Sequence, residues 1–206
     1  YYFDSGDSYV VAIVSDGCGS GLCSEVGSKI AVRILGQILK GLAVRNVVPN
    51  WDRVRVQLLA QVSVMAQAMG VSLSEVVENY FLFTLVGVLA VGDKVFLFSC
   101  GDGMVSINGS AYKLGPFKDN APPYISYGIL GQSSPQFVVV EYEDQDICTI
   151  AIGTDGVDYL QDLEADLKEW LASDLVFSNP DSLRRKLALK NVEKIQDGIL
   201  RPGPLK

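Results

Sequence analysis

Two aspartates in this sequence stand where an apolar run stops and glycine takes over. Val10-Val11-Ala12-Ile13-Val14 passes through Ser15 into Asp16-Gly17-Cys18-Gly19-Ser20-Gly21, and a second run ending at Ile152 passes through Gly153-Thr154 into Asp155-Gly156. Apolar runs of this length read as buried strands, so each carboxylate lies at a strand's end. A carboxylate placed there is a hard oxygen ligand for Mg²⁺ or Mn²⁺, and the Gly17 carbonyl on the adjoining turn can give the same ion a second oxygen. The Gly17/Gly19/Gly21 spacing suits a sharp turn with positive φ and a close approach of backbone to a ligand. Taken singly, strand-Asp-Gly is first of all a turn signal. The repetition of the ending changes the reading, and so does the absence of histidine. Without it a Ser-His-Asp triad, a Cys-His pair and a His-ligated zinc site are excluded within this chain. Carboxylates, thiols, amines, hydroxyls and bound metal remain.

The elements that must position these residues can be read in outline. The 206 residues, 49% hydrophobic and 20% charged, suit one globular domain over 1–206 with a sizeable core. A formal net charge of −7 repels nucleic acid and anionic membranes, so neither is expected as a partner. The longest apolar stretch, 81–91, is broken by Thr84 and Gly87 and is too short to span a bilayer. Cys18, Cys23, Cys100 and Cys148 lack paired CxxC spacing; they read as reduced thiols of the core, which points to a cytoplasmic protein. The start at Tyr1-Tyr2-Phe3 and the loop-like end over 196–206 suggest that both extreme ends of the domain lie outside the sequence.

After the glycines, Val26, Ile30, Ile34 and Ile38, joined by Ala31, Leu35, Leu39 and Leu42, follow helical spacing. Pro49-Asn50 opens a second helix with Asn50 as N-cap, a buried stripe of Trp51, Val54, Leu58, Val62, Met65 and Met69, and Gly70 as the stop. Residues 1–7 read as a short polar lead, and 72–78 as a helical turn. Strand patterns over 81–91, 94–100, 104–107 and 111–114, punctuated by Gly92-Asp93, Gly101-Asp102-Gly103 and Asn108-Gly109, predict an antiparallel meander. The first of these is apolar enough to be covered on both faces. The proline-rich 115–135 reads as a functional surface loop or flap. Strands follow over 136–142 and 147–152, and then helices through Leu160, Leu163, Leu167, Trp170 and Leu171, and from Pro180 through Leu183, Leu187 and Val192.

The order strand, Asp-Gly-x-Gly, two helices, antiparallel strands, Gly-Asp, further strands and Thr-Asp-Gly resembles the metal-dependent protein phosphatases of the PPM or 2C type, in a bacterial-like form. The motifs that carry the resemblance are Ser15-Asp16-Gly17-Cys18-Gly19-Ser20, Phe83-Thr84-Leu85-Val86-Gly87-Val88-Leu89, Cys100-Gly101-Asp102-Gly103 and Ile152-Gly153-Thr154-Asp155-Gly156-Val157. The resemblance implies an α+β fold, a four-layer α-β-β-α sandwich of two antiparallel sheets flanked by helices. It also implies hydrolysis of phosphoserine or phosphothreonine in a signalling protein by a water bridging two divalent ions, Mg²⁺ or Mn²⁺. Asp16 then corresponds to the bridging aspartate, Gly17 to the carbonyl ligand, Asp155 to the ligand from another strand, and Asp102 to the acid that reaches a third ion.

Some positions depart from the family pattern. Cys18 stands where many relatives carry a histidine proposed as general acid, and no lysine or histidine beside it in sequence lowers its pKa toward a nucleophile's. Asp158 lies three residues after Asp155, where relatives place an acid at four; it reads either as a further ion ligand or as a first-turn acid of the next helix. The terminal ligand motifs of the family have no counterpart within 1–206. Two alternatives to a protein phosphatase stay open: a catalytically weak or inactive phosphatase-like module that binds or regulates, and a phosphohydrolase of small molecules.

Overall fold

A computed structural model of the chain describes all residues except 71, 119–120, 161, 192–193, 197–198 and 202–206, and all side chains but those of 158, 159, 180, 194–196 and 199–201 as well. Two antiparallel sheets lie face to face. The first has the order β1-β2-β3-β4-β7, from Tyr2–Gly6 (β1), Tyr9–Val14 (β2), Leu85–Val91 (β3), Lys94–Cys100 (β4) and Val138–Glu143 (β7). The second has the order β6-β5-β8, from Gly103–Ile107 (β5), Ser110–Leu114 (β6) and Ile150–Gly153 (β8). A separate hairpin pairs Lys194–Gln196 (β9) with Ile199–Arg201 (β10), where the sequence pattern predicts loop.

Alternation along β3 decides the layering. Leu85 and Leu89 face a core shared with Ser24–Ala43 (α1) and Trp51–Ala68 (α2), built with Ile13, Leu35, Leu39, Val54, Leu58 and Phe98. Val86 and Val88 face the other way, into an inter-sheet core with Val95, Leu97 and Val105. The strand is thus covered on both faces, as its continuous apolarity predicts. On the outer face of the second sheet, Leu167 and Trp170 of Leu163–Leu171 (α4) pack with Met104 and Leu160. The four layers are helix, sheet, sheet, helix. Beyond α4 come Asp174–Ser178 (α5) and Pro180–Lys190 (α6), whose N-cap Asn179 accepts from the Asp181 amide.

Several boundaries differ from the sequence expectation. Residues 2–6, read as a polar lead, form an edge strand in register with β2, from Tyr2 opposite Ile13 to Gly6 opposite Tyr9. The expected strand over 81–91 begins only at Leu85. The helical turn expected over 72–78 is present as Leu73–Val76 (α3), continued by a π-helical turn at Val77–Phe81 that takes in Phe81, which as an apolar residue buries equally well in helix or strand. The expected meander is two hairpins on different sheets, β3-β4 and β5-β6, and the chain changes sheets at Gly101-Asp102-Gly103. On α2 the Asn50 cap holds, its side chain accepting from the Arg53 amide at 3.0 Å, and Gly70 stops the helix with φ +74. Met65 and Met69 are each 41% exposed, however, and Ala66 takes their place in the stripe. Of the four free cysteines only Cys100 is core; Cys18 and Cys23 are half-buried and Cys148 is exposed. Val192 lies outside the described residues.

Candidate metal centre

The sheets bring their chain reversals to one rim. In the first sheet β2 ends at Val14 opposite Val86, and β3 begins at Leu85 opposite Cys100, where β4 ends. In the second, β5 begins at Gly103 and β8 ends at Gly153, with Met104 opposite Gly153. The residues just beyond those ends, Asp16, Asp102 and Asp155, therefore meet at one cavity of about 540 Å³.

Asp16 is held by an extension of β2 beyond its last regular residue. The Thr84 amide donates to the Asp16 carbonyl at 2.9 Å and the Cys18 amide donates to the Leu82 carbonyl at 2.8 Å, making an isolated bridge of Gly17 with Phe83. The two bonds run from the neighbours of Gly17, so the Gly17 carbonyl takes no part in this pairing. The Gly17 amide donates to the Asp16 side chain at 2.9 Å, fixing one carboxylate oxygen. Glycine at 17 is required by space and not by φ: a Cβ there would stand 2.5 Å from the Ser24 backbone at the start of α1. None of Gly17, Gly19 and Gly21 has positive φ, contrary to the sequence expectation. That conformation appears at Gly101 and Gly103, with φ +102 and +143, and it swings Asp102 out between the two sheets.

Solvent reaches Asp16 through the cavity, yet the surrounding wall and then the neighbouring Asp155 carboxylate push its pKa above the ordinary carboxylate range, against the pull of the Gly17 amide. Two like charges placed together, in a cavity whose described lining contains no lysine or arginine, need a cation to be held ionised together. The donors are all oxygen: two carboxylates, the half-buried Asp102 and the Gly17 carbonyl, a set suited to Mg²⁺ or Mn²⁺. Among the described residues no three acidic or thiol side chains form a metal-holding group by themselves, so carbonyl, water or phosphate oxygens must complete any shell.

The structure thus brings together Asp16, Gly17, Asp102 and Asp155. Asp158 lies in the 3₁₀ turn Asp155–Tyr159, and its side chain is outside the described residues. Five residues with side-chain roles left unassigned by the sequence line the cavity as well: Ser20, Thr84, Thr154, Pro122 and Tyr124. The last two come from the proline-rich loop, where no periodicity reports which side chain turns inward. Cys18 also lines the cavity, with its sulfur 3.0 Å from the Ser20 hydroxyl. Burial raises its pKa, but hydrogen bonds from Ser20, Tyr124 and the Ser20 and Gly21 amides outweigh burial and leave the thiol below its ordinary value. No lysine or histidine stands beside Cys18 in sequence to announce this; the groups responsible are the hydroxyl and amides of the following turn and, from the proline-rich loop, Tyr124.

No curated protein matches the chain at a significant level. Solved structures do. A variant of a bacterial serine phosphatase superposes with a TM-score of 0.61 at 16% identity, covering 91% of this chain and 89% of the other. The serine/threonine phosphatase Stp1 from Staphylococcus aureus gives 0.55 at 15% identity, covering 91% and 87%. RsbX, solved in complex with magnesium, gives 0.51 at 14% identity, covering 89% and 77%. These likenesses are of fold. The family model for protein phosphatase 2C matches residues 1–190, and the chain belongs to that family.

Proposed function

We propose that this protein is a metal-dependent phosphatase that removes phosphate from phosphoserine or phosphothreonine in a protein partner. The observation that carries the reading is the convergence of Asp16 from the first sheet and Asp155 from the second on one cavity whose described lining holds neither lysine nor arginine. Asp16, the Gly17 carbonyl and Asp155 would hold two Mg²⁺ or Mn²⁺ ions, with Asp102 reaching a third and Asp158 as a further candidate. When bound, such ions neutralise phosphate charge and lower the pKa of a coordinated water toward neutrality. The chain itself contributes placement. The Gly17 amide orients the Asp16 carboxylate, the Thr84 amide fixes its backbone, and the hydroxyls of Ser20 and Thr154 offer donors to a phosphate that enters. The cytoplasm is the proposed location, from the free thiols.

The test is Mn²⁺-dependent release of phosphate from a phosphothreonine peptide, with and without chelator, by wild type and by Asp16→Ala and Asp155→Ala. Loss of about 100-fold or more in turnover with melting temperature preserved is expected of each variant, since each removes a ligand and no core packing. Turnover that either variant retains with unchanged metal dependence would overturn the site. Absence of turnover and of metal binding in the wild type would favour the inactive regulatory module, and activity confined to small phosphate esters the metabolite hydrolase.

A further inference from the structure

One wall of the cavity belongs to neither sheet. Pro122 and Tyr124 reach it from the loop that follows β6, and Tyr124 is built into the core and not laid over it. The residue is 6% exposed, packs with Val77 and Leu82, and its ring meets that of Tyr127 edge-on at 5.7 Å between centroids. The residues after it, Ile125 and Ser126, are fully buried. The Cys100 thiol donates to the Pro123 carbonyl at 3.5 Å, and the Ser134 hydroxyl donates to the Ile125 carbonyl at 3.0 Å. The Tyr124 side chain is therefore held in one place at the cavity wall.

Within the cavity the phenol interacts with the Cys18 thiol, which lines the same space. Sulfur is a weak acceptor, and a hydrogen bond to a charged phosphoryl oxygen is roughly twice as strong as a neutral one. Exchange of the first for the second is favourable when a phosphate arrives. Burial, then Cys18 and Asp102, raise the phenol's pKa, so it keeps its proton throughout the physiological range and is available only as a donor.

We propose that Tyr124 is a substrate-binding residue whose hydroxyl leaves Cys18 to donate a hydrogen bond to a non-bridging oxygen of the bound phosphate monoester. This rests on the phosphatase reading above. It places the loop's contribution in the recognition of the phosphoryl group itself, whatever peptide carries it.

The experiment uses the full chain with Mn²⁺, para-nitrophenyl phosphate as substrate and inorganic phosphate as competitive inhibitor. Tyr124→Phe removes the hydroxyl and keeps the ring that fills the wall. Its KM and its inhibition constant for phosphate should rise together by roughly tenfold to a hundredfold, the usual scale for one hydrogen bond to a charged group, with kcat within about twofold. Unchanged KM and phosphate inhibition in a variant with metal-dependent turnover would overturn the proposal, as would a fall in kcat alone. Tyr124→Leu, which keeps apolar bulk without the hydroxyl, must reproduce the rise if the hydroxyl matters; a rise in Tyr124→Leu absent from Tyr124→Phe would assign the effect to packing and reject the hydrogen bond. Failure of the phosphatase reading is seen separately, as no Mn²⁺-dependent turnover in the wild type.

Discussion

Asp16 and Asp155 are an arrangement that costs the metal-free protein stability. Each carboxylate is placed by its own strand, and their proximity raises the energy of the doubly ionised state at neutral pH. Asp16→Asn keeps the shape and removes one of the two like charges. In the presence of chelator it should melt above the wild type, by ~1–3 °C given the modest worth of a partly exposed charge contact in a domain of this size. Millimolar Mn²⁺ should raise the wild-type melting temperature and leave the variant's where it was. Thermal melts with and without chelator check both; a variant that melts lower in chelator, or that Mn²⁺ still stabilises fully, contradicts the arrangement. Both aspartates were legible in the sequence because their signal is local, an apolar run that ends in Asp-Gly. Tyr124 was not, because it reaches the cavity through packing against Val77 and Leu82, which lie more than forty residues away in sequence.

At the scale of elements, the strand that sequence reasoning missed carries its own clasp. β1 is an edge strand of mixed polarity, and only Tyr2 is deeply buried. Asp4 joins it to two neighbours, accepting from the Tyr9 hydroxyl of β2 at 2.7 Å and pairing with Lys40 of α1 at 2.8 Å. The hydrogen bond from Lys40 and then that from Tyr9 lower the Asp4 pKa below its ordinary 3.8, and the Lys40 pKa is raised in turn, chiefly by its hydrogen bond to Asp4. The depressed carboxylate stabilises the fold above its unfolded pKa and loses that contribution as pH falls through its lower folded value. The raised amine contributes below its ordinary 10.5 and loses its share as pH rises through its folded value. Asp4→Asn should therefore melt below the wild type at pH 7, converge with it as the medium is taken below the carboxylate range, and converge again at strong alkali. Melting curves across that range test it, and a gap independent of pH would refute it. Elsewhere the elements were read well where turns are marked. Asn108-Gly109, with φ +50 and +83, closes the β5-β6 hairpin, and Gly92-Asp93 closes β3-β4. β1 lacks the alternation that would announce it, and Phe81-Leu82-Phe83 are as apolar as the strand they precede, so nothing local marks its start at Leu85.

At the scale of the molecule, the two sheets are the device that holds the candidate centre to its dimensions. The sequence shows hairpins and not which sheet each joins, so the crossing at Gly101–Gly103 became visible only in three dimensions. That crossing makes the separation of Asp16 and Asp155 depend on inter-sheet packing, and Val86 occupies the decisive position. It is 1% exposed, lies opposite Val14 at the end of β2, and stands against Gly103 at the start of β5, where even an added Cβ would come within 2.7 Å of it. Val86→Ala should destabilise by roughly 1–3 kcal/mol and, in protein that remains folded, weaken Mn²⁺ binding severalfold, because the rim residues of the two sheets lose their common spacer. Leu58→Ala in α2, a fully buried position in the helix-facing core, should cost about 2–5 kcal/mol and leave Mn²⁺ affinity of the folded protein near the wild-type value. Calorimetric Mn²⁺ titrations below the melting transition of each variant separate the two effects. Equal loss of affinity in both would mean that affinity follows global stability; loss in Val86→Ala alone would mean that the inter-sheet core sets the geometry of the centre and the helical layer supplies only the free energy that keeps it folded.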